Sequence, residues 1–139
     1  MKALGCHIVA ELSHCDGDLL TDLETVQNAM IRAAELAKAE IREVAFHRFV
    51  PHGVSGVVVI SESHLSIHTW PELGYAAIDI YTCGTSADPW LALQYLAEQF
   101  HSQSLTTSVI ERGSLTPSGA FSHVVTAPRE DDSIAARSA

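Results

Sequence analysis

The strongest constraint on the fold is a repeated alternation of apolar and polar residues along the middle of the chain. The alternating stretches are residues 41–50, 60–70 and 75–84. Side chains on a β-strand point alternately to its two faces, so this pattern is typical of strands that bury only one face. The apolar run VVVI before the second stretch indicates a more deeply buried strand. The middle of the chain is therefore predicted to form a sheet.

The first of these strands carries different residues on its two sides. Val44, Phe46 and Val50 share the side that is predicted to face the core, whereas Phe49 lies on the opposite side. The proline and glycines of residues 51–56, PHGVSG, predict a turn into the next strand. Phe49 is therefore expected to be an aromatic residue outside the core.

Two segments have the apolar spacing of helices together with recognisable starting signals. Thr21 with Glu24 three residues later has the form of a capping box, and the helix is predicted to end near Ala39. Asp88 as N-cap and Pro89 at the first helical position predict a second helix. Two amphipathic helices are therefore expected to accompany the strands.

The order of the elements predicts the fold class. A first strand lies within residues 3–12 and a last one within 105–113, so the chain runs strand, helix, several strands, helix, strand. This order favours an α+β fold in which an antiparallel sheet carries both helices on one face, as a two-layer sandwich. The other face would be open, and we expect a second copy of the chain to cover it in a dimer.

The chain length of 139 residues fits a single domain. We expect residues 1–113 to form that domain and the polar residues 114–139 to be a C-terminal extension with a mobile end. No run approaches the roughly 18 apolar residues of a membrane span, and the N-terminus lacks the apolar core of a signal peptide. These features predict a cytoplasmic protein without a membrane partner.

The charge and the cysteines limit the possible partners. Eight basic and 17 acidic residues give a net charge of −9, which argues against a nucleic-acid partner and favours a cationic or zwitterionic small molecule. Cys6, Cys15 and Cys83 are an odd number without CxxC spacing. They predict neither a disulfide framework nor a thiolate zinc site.

The stretch ISESHLSIHTW, residues 60–70, is dense in serine and histidine. His64 and His68 have the spacing of a zinc pair on a helix, but on a strand four residues span about 13 Å, too far for one ion. We therefore expect no metal here. Ser63 or Ser66 with His68 could act as nucleophile and base, but serine and histidine on strands are more often surface or hydrogen-bonded core residues. Spacing alone leaves both interpretations open.

A longer pattern points to one protein family. The segment GVSGVVVISESHLSIHTWPELGYAAIDIYTCG, residues 53–84, closely resembles the short bacterial and archaeal S-adenosylmethionine decarboxylases, which are pyruvoyl enzymes of polyamine synthesis. The similarity extends to FHRFVPHGVSG before it, to DPW at the second helix and to ERG in the last strand. It covers roughly residues 1–113, and the joint occurrence of SESHL, IHTWPE and YTCG is its most specific part.

The resemblance implies that the chain cleaves itself between Glu62 and Ser63 into chains 1–62 and 63–139. The Ser63 hydroxyl would attack the Glu62 carbonyl carbon, and the resemblance assigns removal of the Ser63 α-proton to His68, whose ordinary pKa suits a base. Five residues separate Ser63 from His68, too many for contact along one straight strand. A bend, or delivery of His68 from a neighbouring strand, is therefore required.

The same resemblance implies that Ser63 becomes a pyruvoyl group, which would be the cofactor, with no metal. Its carbonyl would form a Schiff base with the substrate and accept the electrons released as CO₂ leaves. Cys83 would protonate the product carbanion, and Ser55 would assist self-cleavage. From the residues alone, Cys83 could equally be a packing residue and Ser55 a turn residue.

For the substrate, the resemblance implies that Phe49 stacks on adenine, that Glu72 binds the ribose hydroxyls and that Trp70 packs nearby. Two cleaved protomers would build each site. The predicted reaction converts S-adenosylmethionine to S-adenosylmethioninamine and CO₂ for spermidine synthesis. A pyruvoyl-dependent arginine or ornithine decarboxylase and a non-catalytic, uncleaved partner subunit are the alternatives.

Overall fold

The structure is a computed structural model that describes residues 3–131. Its α-helices are α1 (Gly17–Thr21), α2 (Leu23–Leu36) and α3 (Pro89–Gln99), and a 3₁₀ turn spans Pro71–Leu73. Its strands are β1 (Gly5–Ser13), β2 (Ile41–Arg48), β3 (Val54–Ile60), β4 (Ser63–Trp70), β5 (Tyr75–Cys83), β6 (Ser104–Leu115), β7 (Phe121–Val125) and β8 (Arg129–Asp131). The predicted order of elements is confirmed up to β6, with an additional short helix, α1, and the strands β7 and β8 follow.

All strand pairs in the sheet are antiparallel, as predicted. The order across the sheet is β2, β3, β4, β5, β1, β6, β7, and β8 also pairs with β6. Strand β1 lies between β5 and β6 and pairs along its whole length with both. Because β3, β4 and β5 are consecutive hairpin strands, their registers fix where the residues of the predicted site lie.

The core lies between one face of the sheet and the helices. Alternate residues of the central strands are buried there together with the apolar stripes of α2 and α3; the largest are Ile8, Leu12, Leu65, Ile67, Ile78, Ile80, Met30, Leu93, Leu96 and Phe100. The opposite face carries partly exposed residues such as Val9, Val57 and Tyr81. We call it the open face. The predicted two-layer arrangement with one open face is therefore confirmed.

Helix α2 begins and ends differently from the prediction. Its N-cap is Asp22, not Thr21, and the Asp22 carboxylate accepts a hydrogen bond from the Thr25 amide at 3.1 Å. The predicted end near Ala39 is also wrong, because the helix stops at Leu36. Lys38 follows with a φ of +63°, the left-handed conformation that ends many helices and is usually taken by glycine. Without a glycine, the sequence gives little sign of this end.

Strand β2 and the turn after it were also placed imperfectly. The strand stops at Arg48, so Val50 does not face the core and its side chain is 94% exposed. Strand β3 begins at Val54, which puts Ser55 and Gly56 in the strand and not in the predicted turn. A Cβ on Gly56 would lie 2.0 Å from Cδ2 of Phe46, so the close pairing of these strands requires glycine there.

The sheet continues beyond residue 113. Strand β6 extends to Leu115, and β7 and β8 add strands from the C-terminal extension. Part of the segment predicted to be a mobile tail is therefore paired with β6; the remaining part, 132–139, lies outside the described residues. Among residues 3–131, no helix is long and apolar enough to cross a membrane.

Candidate active site

The predicted cleavage point lies in the tight turn between β3 and β4. Ile60 pairs with Ser63, so Ser61 and Glu62 alone form the turn. Glu62 has a φ of +63°, a conformation that costs an L-residue other than glycine about 1 kcal/mol. The bend expected near Ser63 is thus a two-residue hairpin turn, but it precedes Ser63 and does not bring His68 to it. Glu62 is the strained residue in this turn.

The Ser63 hydroxyl has an unusual environment. Its Oγ atom is buried and has no hydrogen-bond partner among the described residues. A buried hydroxyl without a partner costs free energy and is rare in folded proteins. The residue lines a cavity of about 180 Å³ on the helix side of the sheet, where Lys38, Thr82 and Ser86 are among the other lining residues. Ser63 is therefore buried but not hydrogen-bonded, a state suited to a group that reacts.

The Cys83 thiol contacts the peptide bond that would be cleaved. Its Sγ donates a hydrogen bond to the Glu62 carbonyl oxygen at 3.3 Å. The end of β5 brings the thiol there because β4 and β5 pair in register, with His64 opposite Tyr81. Burial raises the pKa of the Tyr81 hydroxyl, and the hydrogen bond and charge of the neighbouring Cys83 raise that pKa further. Cys83, Glu62 and Ser63 therefore form one group, which we call the cleavage cluster.

A second group of predicted residues lies at the other end of the β3–β4 hairpin. Ser55 and His68 are cross-strand partners, and Ser55 Oγ is 2.9 Å from His68 Nδ1 in a hydrogen bond. Both border a cleft of about 360 Å³ that Phe49, Trp70 and Glu72 also line. We call this group the cleft cluster. It unites five of the eight predicted site residues.

The aromatic walls of the cleft are held by their neighbours. Phe49 is 47% exposed and contacts the His47 ring edge-on, with 4.6 Å between ring centroids. Trp70 stacks on Tyr75 at 5.1 Å, and the Tyr75 hydroxyl donates a hydrogen bond to the Glu11 carboxylate. Phe49 and Trp70 are therefore exposed enough to stack on a planar ligand, and each is held in place by a neighbouring ring.

The two clusters do not meet within one chain. Ser63 and His68 are five residues apart on the same strand, which at about 3.3 Å per residue is about 16 Å. Delivery of His68 from a neighbouring strand of the same chain is excluded as well, because His68 itself lies on β4. The structure thus places the cleavage cluster and the cleft cluster at opposite ends of one hairpin.

The chain matches a known family over most of its length. A family model described as S-adenosylmethionine decarboxylase matches residues 6–113. The S-adenosylmethionine decarboxylase proenzyme of Carboxydothermus hydrogenoformans is 56% identical over 125 residues, 90% of this chain and 98% of that protein. That of Caldicellulosiruptor saccharolyticus is 57% identical over 113 residues, 81% and 91% of the two chains. The chain belongs to the S-adenosylmethionine decarboxylase family.

Solved structures support this membership. The crystal structure of the adenosylmethionine decarboxylase from Aquifex aeolicus has a TM-score of 0.78 and 35% identity, covering 84% of this chain and 97% of that one. A monomer of the Trypanosoma brucei enzyme has a TM-score of 0.59 at 13% identity, covering 76% and 45%, and shows likeness of fold alone. The predicted family and α+β fold are therefore confirmed.

The cleavage cluster fits the reactive group of S-adenosylmethionine decarboxylases, a pyruvoyl group made from a serine of the chain. Formation of that group needs a serine hydroxyl free to attack the preceding carbonyl, and Ser63 Oγ has no competing partner. It also needs a polarised carbonyl, and the Cys83 thiol hydrogen-bonds to that of Glu62. Among residues 3–131, no group of three or more potential ligands could hold a metal ion.

Two residues of this decarboxylase were not singled out from the sequence. His52 contacts Glu72 with 2.8 Å between His52 Nε2 and Glu72 Oε2, and Tyr75 supports Trp70. Twenty residues separate His52 from Glu72, and no local pattern signals contacts across such a loop. Only the convergence of the 49–53 loop with the end of β4 brings them together.

Proposed function

We propose that the protein is made as a precursor that cleaves itself between Glu62 and Ser63 and then decarboxylates S-adenosylmethionine. The products would be S-adenosylmethioninamine, used in spermidine synthesis, and CO₂. Family membership supports the decarboxylase activity. The observation that carries self-cleavage is the buried, unpartnered Ser63 hydroxyl beside a strained Glu62 whose carbonyl oxygen accepts a hydrogen bond.

Self-cleavage begins with the Ser63 hydroxyl. Its oxygen bonds to the Glu62 carbonyl carbon, the carbon–nitrogen bond breaks, and the hydroxyl proton moves to the freed nitrogen, leaving an ester. A base then takes the Ser63 α-proton, and the bond from Cβ to the ester oxygen breaks, which releases the Glu62 carboxylate and leaves dehydroalanine. One water molecule then hydrolyses the dehydroalanine. Its oxygen becomes the carbonyl oxygen on the α-carbon and the nitrogen leaves as ammonia, which gives the pyruvoyl group at position 63.

The base for the second step would come from another copy of the chain. His68 is about 16 Å from Ser63 along β4, so its own chain cannot deliver it. In a two-fold dimer each contact occurs twice, so the cleft cluster of one protomer can meet the cleavage cluster of its partner. The open face of the sheet offers the surface for this association. The active assembly would then be a dimer holding two 1–62 chains and two 63–139 chains.

Within this shared site the residues of the chain have distinct tasks. The Ser55 hydrogen bond at 2.9 Å orients the His68 ring. Phe49 would stack on adenine beside Trp70, and Glu72 would accept hydrogen bonds from the ribose hydroxyls. The pyruvoyl group supplies the electron sink for loss of CO₂. Cys83, which already contacts the backbone at position 62, would return a proton to the substrate carbon.

Mass spectrometry of the purified protein tests the proposal. We expect two fragments with a break after Glu62, and only the intact chain from a Ser63→Ala variant. An intact 15.0 kDa wild-type chain, or a cleaved Ser63→Ala variant, would contradict the processing scheme. CO₂ release from S-adenosylmethionine, arginine and ornithine, measured side by side, then tests the substrate. The matched relatives give no support to the arginine, ornithine or non-catalytic alternatives.

A further inference from the structure

His52 and Glu72 form a side-chain hydrogen bond at the rim of the cleft. His52 Nε2 lies 2.8 Å from Glu72 Oε2, and the side chains are 39% and 42% exposed. Exposed pairs of this kind contribute little to folding stability. The contact joins the 49–53 loop to the 3₁₀ turn after β4, both of which line the cleft. A role in the cleft explains its position better than a role in stability.

The pair leaves half of the carboxylate available. His52 occupies Oε2, and no hydrogen bond to Oε1 is found among the described residues. A glutamate on a short exposed turn samples many rotamers when free, and fixing it before the ligand arrives reduces the entropy lost on binding. His52 therefore holds Glu72 in one orientation while Oε1 stays free to accept a hydrogen bond.

We propose that His52 is a positioning residue that fixes Glu72 for the ribose of the substrate. The inference rests on the proposed function, in which Glu72 binds the ribose hydroxyls. His52 acts through Glu72 and takes no part in cleavage or decarboxylation. The cleft thereby discriminates ligands that carry ribose hydroxyls from ligands that lack them.

Steady-state kinetics of His52 variants separates this role from others. In processed His52→Leu we expect KM for S-adenosylmethionine to rise about three- to tenfold, the cost of one unfixed side chain, with kcat within about twofold. His52→Gln keeps a donor and should recover most of the loss. His101→Asn is the control, because it removes an exposed histidine–aspartate pair outside the cleft, 3.9 Å from His101 Nδ1 to Asp16 Oδ2, and should change neither constant.

Binding of two nucleosides tests whether His52 acts through the ribose. We expect His52→Leu to weaken 5′-methylthioadenosine in calorimetry but to leave its 2′,3′-dideoxy analogue unchanged. Equal weakening of both, or a fall in kcat at constant KM, would overturn the inference. Glu72→Ala, which removes the acceptor, identifies the part that fails: if this variant binds both nucleosides as tightly as the wild type, the ribose assignment of the proposed function is wrong. If the Glu72 variant weakens binding of 5′-methylthioadenosine and His52→Leu does not, the role proposed for His52 is wrong.

Discussion

Cys83 occupies a position from which it can serve two reactions. The resemblance assigns it to proton return in decarboxylation, yet before cleavage its thiol hydrogen-bonds to the Glu62 carbonyl oxygen. In the proposed attack by Ser63, a hydrogen bond to that oxygen would stabilise the developing negative charge. One residue can thus assist the step that makes the reactive group and a step that uses it.

We expect Cys83→Ala to cleave itself more slowly than the wild type. Loss of one neutral hydrogen bond is worth about 1 kcal/mol, so the rate should fall about fivefold. Denaturing electrophoresis of a time course after synthesis measures it. Cys15→Ala is the control, because that thiol is remote from position 62. An unchanged rate in Cys83→Ala would show that the contact at the carbonyl has no part in processing.

Tyr75 should make stability depend on alkaline pH. Burial, followed by the hydrogen bond and the charge of Glu11, raises its pKa to about 12. The unfolded chain has a tyrosine pKa near 10, so this contribution is complete below pH 10 and is lost as the pH rises from 10 to 12. Because the Tyr75 side chain is only partly buried, solvent screens the interaction and the loss should be only about 1 kcal/mol.

Urea denaturation at pH 9, 10 and 11 tests this effect. The stability of Tyr75→Phe should fall less over this range than that of the wild type, while Tyr95→Phe should follow the wild type. Burial also raises the pKa of Cys15, to about 11, but this thiol is present in all three proteins and cancels in the comparison. Parallel curves for Tyr75→Phe and the wild type would contradict the prediction.

The sequence proposes the candidate reactive residues, but their contacts could not be predicted from it. Ser63 and Cys83 stand in recognisable motifs, and strand alternation put Cys83 on the open side of β5. The thiol contact with Glu62 depends on the register between β4 and β5, which short-range patterns do not fix. The same holds for Ser55, which looked like a turn residue until β3 placed it opposite His68.

At the scale of elements, the hairpin turn between β3 and β4 combines a tight bend with an unfavourable residue. Asparagine or glycine is preferred where φ is positive, yet position 62 carries glutamate with a φ of +63°. No glycine is present in this turn, and Glu62 takes the left-handed conformation instead. Relief of the strain when the peptide bond is lost would favour cleavage.

We expect Glu62→Gly to stabilise the precursor and to slow its cleavage. Glycine would remove about 1 kcal/mol of strain at position 62 from the precursor, so the free energy of unfolding would rise by that amount. The barrier to cleavage would rise equally, which slows cleavage about fivefold. Stability is measured in a Ser63→Ala background, which keeps the chain intact, and the rate in the wild-type background.

His101→Gly is the matched control for this turn. His101 follows α3 with a φ of +54°, and Ser102 donates to the Ala97 carbonyl in the helix-ending motif. The variant should gain a similar stability without any change in cleavage rate. Faster cleavage in Glu62→Gly would mean that the strain opposes the reaction.

Helix ends were the least predictable part of the fold. Both α2 and α3 end with a left-handed residue that is not glycine, Lys38 and His101, so the usual signal is missing. The strands were easier, because their alternation is long and a one-residue shift would turn the apolar side outward. The short turns account for the neighbours β2 to β5, whereas the position of β1 between β5 and β6 depends on long-range pairing that the sequence does not indicate.

At the scale of the whole molecule, the cleavage cluster and the cleft cluster are too far apart to form one site within a single chain. A single chain carries every predicted site residue, yet about 16 Å of strand divides Ser63 from His68. The sequence indicated this separation for a straight strand but left open whether β4 is straight. The straightness of β4 supports the proposal that a partner chain completes the site.

Co-expression of two inactive variants tests whether a partner chain completes the site. Ser63→Ala lacks the reacting hydroxyl and His68→Ala lacks the base, so neither should cleave alone. In a mixed dimer, the intact Ser63 of one chain would meet the intact His68 of the other, and only the His68→Ala chain would be cut. With equal amounts and random pairing, about half of the His68→Ala chains sit in mixed dimers and should be cleaved.

The pattern of fragments distinguishes a shared site from a site within one chain. Tags of different mass on the two variants identify the cleaved chain by mass spectrometry. As a control, His68→Ala is co-expressed with Cys83→Ala, a variant that keeps both Ser63 and His68. In that control the same His68→Ala chains should be cut. If His68→Ala stays intact with both partners, or is cut when expressed alone, His68 of a second copy does not complete the site. Cleavage that appears only on mixing requires that each precursor is processed by its partner.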